Sequence, residues 1–345
     1  MTVVLPGPTA DGAPASGRGT TAQPRRSSPA PGRRRRRLGH APWWQVLLFL
    51  TPFILGLLIF TVYPLIASAI LSFTDFQAGS RRDVHFVGFN NYVNLFTGVA
   101  SPRFFTGIQN TLWMVVVLVP VQTIWAMLMA TLINRFKRTA NIYRTIFYLP
   151  TMVPVVAAAL GFLVMLAPNG ALDAMFSAIG LHMPAWFYDP AWAKPSLVGL
   201  RMWMIGNTMV IFSAALLDVP VHLYEAAELD GAGPVRKFFA ITLPSIAPVI
   251  YFSVLTGMIY TFQYFSEAYV VSSSANPAET ATQLIGFPQD SLFFYSSNIY
   301  LQGFGYFKTG VASAMAWLLT LVIFAITIVF IRASRSSIYY AGDEG

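Results

Sequence analysis

The stretch EAAELDGAGPVRKFFAITLP, from Glu225 to Pro244, is a polar, glycine-punctuated insert between two strongly apolar segments. In a chain that otherwise lives in lipid, a segment of this composition is there to be touched by something. Leu223, Ala226 and Ala227 fall at i, i+3 and i+4 on one face of a short helix, with Glu225 and Glu228 off that face. Gly231 and Gly233 stop the helix. Pro234 is suited to the first position of a second short helix, where Val235, Phe238 and Phe239 repeat the apolar spacing until Pro244 ends it. The predicted product is a compact helix–turn–helix knob.

The flanking sequence reads as membrane. Apolar residues make up 55% of the chain and charged ones 10%. Uncharged runs cover 43–74, 111–134, 145–173, 202–217, 245–266 and 309–331, against the roughly 20 residues a helix needs to cross a bilayer. Six spans are predicted, making the chain an all-α integral membrane protein. The fourth has the shortest uncharged core, and Arg201 must lie at or near an interface. Prolines 52, 64, 120, 150, 154 and 248 lie in or at the edges of the runs and suggest kinks.

Charge sets the orientation. Arg18, Arg25, Arg26 and Arg33 to Arg37 precede the first run. Arg135, Lys137, Arg138 and Arg144 separate the second from the third, Arg236 and Lys237 lie in the knob, and Arg332 and Arg335 follow the sixth. The positive-inside rule puts all four regions, and both termini, in the cytoplasm. Arg81, Arg82, Arg103, Lys194, Arg201 and Lys308 then fall on or near the outside. Three parts follow: a disordered basic tail at 1–42, rich in Pro, Gly, Ser, Ala and Arg; a six-span domain at 43–335, with the loop 219–244 between spans four and five; and a short tail at 336–345. Most of the net charge of +8 belongs to the first tail, whose arginines are read as an orientation signal or a contact with anionic membrane lipid, not as a nucleic-acid site.

The insert resembles the cytoplasmic signature of permease subunits of ATP-binding-cassette importers: Glu-Ala-Ala, three residues, Gly, nine residues, Ile, one residue, Leu-Pro. Glu225, Ala226, Ala227, Gly231, Ile241, Leu243 and Pro244 match it, and Asp230 precedes the glycine. The resemblance implies a coupling helix that docks in a cleft of an ATP-binding subunit, with small alanines for close approach, Gly231 for the turn and Glu225 for pairing with a basic group. An ordinary amphipathic loop would explain three small or acidic residues, but not the full spacing. Asp218 and His222, at the entry to the knob, depart from the family's usual pattern.

Further segments resemble the carbohydrate, maltose-type branch of that family. They are FVGFNNYVNLF from Phe86, through Phe86, Gly88, Asn91 and Tyr92; the pair Asn110 and Thr111; YLPTMVPVV from Tyr148; WFYDPAWAKPSLV from Trp186; FQYF from Phe262; and GVASAMAW from Gly310. The resemblance implies a type I importer permease fold in a bacterial plasma membrane. It also implies a second homologous permease, a dimer of ATP-binding subunits carrying ATP and Mg, and an extracytoplasmic solute-binding protein that delivers sugar.

The chain shows no chemistry of its own. Four histidines are dispersed without metal-ligand spacing, no Gly-x-Ser-x-Gly elbow occurs, and GFGYFKTG from Gly303 has Phe307 where a phosphate loop needs glycine. No cofactor is expected on this chain, and no catalytic site. The polar residues of the spans are few. Tyr260, Gln263, Tyr264 and Glu267, with Asn207, offer the amides, hydroxyls and aromatic faces that bind sugars, and form a candidate translocation pathway. Helix–helix hydrogen bonding and an interfacial aromatic belt would use the same residue types. A gradient-driven carrier, a scaffold without flux, and an importer of glycerol phosphate or polyol are the alternatives. The first needs a central intramembrane carboxylate, and only Asp218 and Glu267 flank the spans.

Overall fold

The computed structural model describes residues 43–81, 83–98, 101–136, 138–275 and 285–334. Both tails, Arg82, Lys137 and Arg335 lie outside the described residues, so the expectations placed on them have no structural counterpart here. The chain divides into two units between Gly56 and Leu57. The described part of the first belongs to α1 (Trp43–Leu57), whose side chains are largely exposed, Phe49 at 87%. Everything else belongs to the second.

The regular elements among the described residues are all helices, with one isolated bridge between Thr74 and Phe86. After α1 come α2 (Tyr63–Leu71), α3 (Asn90–Phe96), α4 (Phe104–Asn134), α5 (Ala140–Tyr148), α6 (Val155–Met165), α7 (Ala171–Ser177), α8 (Pro190–Trp203) and α9 (Gly206–Leu217). Then follow α10 (Val221–Leu229), α11 (Pro234–Lys237), α12 (Leu243–Ser245), α13 (Ala247–Phe262), α14 (Ser266–Ala275), α15 (Tyr295–Tyr300) and α16 (Thr309–Ser334). Three stretches, Trp43–Leu71, Phe104–Asn134 and Thr309–Ser334, are each long and apolar enough to cross a membrane. Three more qualify only as bent pairs: Ala140–Met152 with Val155–Met165 at 93°, Pro190–Trp203 with Gly206–Leu217 at 52°, and Pro234–Ser245 with Ala247–Phe262 at 67°.

The expected third run, 145–173, is therefore two nearly perpendicular helices joined at Val153–Pro154, where a proline with extended ψ caps α6. The expected start of the fourth, Met202, falls in the last turn of a helix that breaks after Trp203 and already begins at Pro190, capped by the Asp189 carboxylate, which accepts from the Ala191 N–H at 2.9 Å. Prolines do not mark the breaks consistently. Pro52 and Pro120 lie inside α1 and α4, and Pro64 and Pro244 each follow a π-turn, Leu58–Val62 and Phe238–Thr242. In both turns the residue before the proline donates to a carbonyl five residues back, Tyr63 to Leu58 and Leu243 to Phe238. A proline ring crowds the carbonyl four residues back and donates nothing, and the wider π register accommodates it.

The α4 helix is the spine, packed against both α9 and α13. One core cluster joins α4 (Met114, Leu118), α6 (Ala158, Ala159, Leu163), α8 (Leu197, Leu200) and α14 (Ala268, Val271). A second joins the other half of α4 (Ala126, Ala130, Ile133) to α9 (Met209, Phe212) and Ile246. The buried alanines are the expected currency of helix contact in lipid, where close backbone approach replaces the hydrophobic drive. Gly310 shows the same economy: its N–H donates to the Phe76 carbonyl at 2.9 Å, and a Cβ there would sit 2.2 Å from the Thr74 oxygen.

Two sequence markers turn out to be braces. Asn91 Nδ2 donates to the Ser72 and Thr74 carbonyls, each at 2.8 Å, and so closes the end of α2. Asn110 Nδ2 donates to the Asp290 and Phe293 carbonyls at 2.7 and 2.9 Å while its Oδ1 accepts from Lys194 Nζ at 2.9 Å. Its neighbour Thr111 Oγ1 accepts the Tyr295 N–H at 3.0 Å.

Candidate functional site: the knob and the groove

The knob forms as a helical hairpin. Its first helix, α10, ends in a motif whose bonds can be named: Gly231 N donates to Glu228 O at 3.0 Å and Ala232 N to Ala227 O at 2.8 Å. This is the Schellman arrangement, which needs a left-handed residue at the position of Gly231, and Gly231 has φ +74°. Gly233 is extended and caps α11, with Pro234 in its first turn as expected. Pro244, however, does not end the second helix. The helical stretch continues through the π-turn and α12 to Ser245, and the chain bends only there.

Two side-chain bridges tie the legs. Tyr224 Oη and Thr242 Oγ1 are 2.8 Å apart, and Lys237 Nζ lies 2.5 Å from Glu228 Oε1. Tyr224 and Ile241 pack on the second core cluster, so the signature's isoleucine anchors the knob to the spans. The remaining signature residues divide. Ala227 and Leu243 are half-buried, whereas Glu225, Ala226, Asp230, Gly231 and Pro244 are exposed. Around them Val221, Leu229, Val235 and Phe239 are also exposed, Leu229 at 91%. The knob thus offers small, acidic and apolar groups on a braced frame.

The candidate pathway residues are split by the structure. Tyr260 and Asn207 are exposed and stand outside the groove that Gln263 lines. Gln263 lies beyond the end of α13, donates through Nε2 to the Ile259 carbonyl at 3.0 Å, and lines a groove of about 670 Å³. Phe265, Tyr300, Phe304, Thr320 and Phe324 share that lining. Phe265, Tyr300 and Phe304 follow one another at ring separations of 5.2 Å, with Tyr269 stacked on Phe265. Rings with an amide and hydroxyls beside them are what a sugar's two faces require.

Tyr264 and Glu267, each 2% exposed, point the other way, into the core. There Arg201 Nη2 meets Glu267 Oε1 at 2.6 Å, and the guanidinium carbon lies 5.3 Å from the Tyr264 ring. Sequence reading treated Arg201 as interfacial and Glu267 as a pathway group, and did not pair them. The signal was there: an isolated charge in an apolar segment needs an opposite partner. It also missed Arg103, which pairs with Asp290 at 2.8 Å and stacks 4.0 Å over Phe293.

Residues 122–338 match the family described as binding-protein-dependent transport system inner membrane component. The chain is 33% identical over 298 residues to the probable ABC transporter permease protein YesP of Bacillus subtilis, covering 86% of this chain and 92% of that one. It is 29% identical to the arabinooligosaccharides transport system permease protein AraP of the same organism, covering 84% and 88%. Among solved structures, a chain of a bacterial ABC transporter involved in the import of the acidic polysaccharide alginate superposes with a TM-score of 0.68 at 25% identity, covering 85% of this chain and 96% of that one.

Proposed function

The chain belongs to the family of binding-protein-dependent transport system inner membrane components, and from that premise we propose that it forms half of a sugar-importing pathway and takes its energy through the knob. The observation that carries the reading is the knob itself: a hairpin capped at Gly231, tied by Tyr224–Thr242 and Lys237–Glu228, and exposing Glu225 and Ala226. Glu225 supplies a carboxylate to a basic group on an ATP-binding subunit, Ala226 and Ala227 let its surface approach, and Asp230 and Leu243–Pro244 border the contact. ATP and Mg reside on that subunit. In this reading three straight and three bent helices make six spans, with both termini and the knob in the cytoplasm.

The substrate class follows from relatives whose names specify arabinooligosaccharides and from the aromatic groove, where Gln263 and the Phe265–Tyr300–Phe304 rings face a sugar. A second homologous permease completes the groove, and a solute-binding protein delivers the sugar to it. Closure of the ATP-binding dimer draws the two knobs together and shifts the bundles between inward and outward states, each ligand favouring one of them. A gradient-driven carrier fits less well, because Glu267, the carboxylate it would use, is paired with Arg201.

The test is isolation of the tagged chain from its membrane in mild detergent, for wild type and Ala226→Trp, with mass spectrometry of what accompanies it. Wild type should bring an ATP-binding subunit and a second permease, and Ala226→Trp should lose the first while keeping the second. Equal recovery of the ATP-binding subunit by both would sink docking at Ala226.

A further inference from the structure

The Arg201–Glu267 pair joins two helix breaks. Arg201 lies two residues before the end of α8, where the chain breaks before α9, and Glu267 lies in the first turn of α14, just after the chain breaks behind α13. Across the second break the side chains part company: Gln263 and Phe265 line the groove, while Tyr264 between them is buried against Phe294, ring to ring at 5.3 Å. Neither proline nor glycine occurs in residues 262–267 to specify this turn. Something else must set its direction.

The pair is well placed to do so. Glu267 is 2% exposed, and a carboxylate so buried is tolerated only with a partner. Stability alone does not account for the pair, since apolar residues of equal volume fill such sites at least as well. What an ion pair adds is a single allowed register. With Glu267 held to Arg201 and Tyr264 lying beside the same guanidinium, the start of α14 has one orientation, and in it residues 263 and 265 face the groove. We infer that Arg201 and Glu267 are positioning residues, which aim Gln263 and Phe265 into the translocation groove by locking the break between α13 and α14. The inference rests on the reading of that groove as the pathway.

The chain's lack of cysteine makes the test direct. Gln263→Cys is introduced as the reporter and Thr320→Cys, on α16 in the same lining, as the reference. Each is labelled with a small cationic methanethiosulfonate in membrane vesicles holding the assembled transporter. Glu267→Gln should change the labelling rate at position 263 by about tenfold or more, because a broken buried pair is strongly unfavourable, and leave position 320 unchanged. The charge-reversed Arg201→Glu/Glu267→Arg should return the rate toward wild type. An unchanged rate at 263 in Glu267→Gln overturns the inference, and so does an equal change at both positions, which is general loosening. Should the single variants fail to assemble, Arg201→Met/Glu267→Met fills the site without charge, and an unaltered rate at 263 in that background overturns it equally. Labelling uses no substrate, so the pathway reading fails separately, if Gln263→Ala and Phe265→Ala both transport normally.

Discussion

Replacing Gly231 isolates one geometric demand of the knob. At φ +74° an L-residue with a Cβ loses roughly 1–2 kcal/mol, and a Cβ there would meet nothing within 4 Å, so crowding adds no further cost. For Gly231→Ala the expected penalty is therefore about 1–2 kcal/mol, confined to the cap, which shifts the balance between capped and frayed knob by about 5- to 30-fold. Gly231→Asn should lose less, because its short amide tolerates the left-handed region. Gly231→Pro should lose most: its φ is fixed near −65°, and it lacks the N–H that reaches Glu228 O. The assay is ATP-driven sugar uptake and ATPase activity of the reconstituted transporter, measured together. Uptake per ATP should fall in the order Gly, Asn, Ala, Pro, with the Ala variant down by at most the 5- to 30-fold given above. The thermal midpoint of the spans should stay put, because Gly231 is exposed and belongs to neither core cluster. Full coupling in Gly231→Pro, or a fall in midpoint matching the fall in uptake, would refute the reasoning.

Three further outcomes follow from the same geometry. Gly310→Ala should cost about 1–3 kcal/mol or more by overpacking against the Thr74 carbonyl and lower the melting midpoint in detergent, while Gly199→Ala, whose added methyl meets nothing within 4 Å, should not. Asn110→Ala should destabilise by about 1–3 kcal/mol, since it strands the Asp290 and Phe293 carbonyls and the Lys194 ammonium; Asn110→Asp should not rescue it fully, because the carboxylate oxygen in place of Nδ2 would be an acceptor facing two carbonyl acceptors, and thermal unfolding reads both. Tyr224→Phe should weaken coupled uptake more than Glu228→Gln: the first removes a half-buried hydroxyl bond worth about 0.5–1.5 kcal/mol, the second an ion pair whose carboxylate is 68% exposed and worth about 0–1 kcal/mol.

Much of this molecule could be read before it was seen, for reasons that differ by element. The straight spans follow from unbroken apolar runs, and the knob from residues whose spacing sets its geometry: Gly231 at the left-handed cap and Pro234 in the first turn of α11 both fall where local chemistry alone would put them. The bends were harder. Pro154 announces one, but the break before Gly206 arises from packing, since a Cβ there would sit 2.8 Å from the Tyr148 Cα. The break at 263–265 has no local signal at all. The candidate pathway residues divide for the same reason: Tyr264 and Gln263 are adjacent in sequence yet face the core and the groove. The group proposed to set their directions, Arg201, stands more than sixty residues away and pairs with Glu267. Pro244 was misread as a stop because an α register was assumed where the chain takes a π-turn.

The internal bracing of the knob bears on how the transporter is put together. Its cap and both bridges are contributed by one chain, so the hairpin is complete without a partner, and in the proposed assembly an ATP-binding subunit would meet it already formed. A partner meeting such a surface has no segment to fold on arrival, and most of the entropy of ordering has already been met in the membrane. Recruitment should then follow rigid-body kinetics, with association constants of about 10⁵–10⁷ M⁻¹s⁻¹ and no lag independent of concentration. In the proposed assembly, stripping the ATP-binding subunits from the membrane and returning them should restore the complex, with the embedded half keeping its shape in the interval.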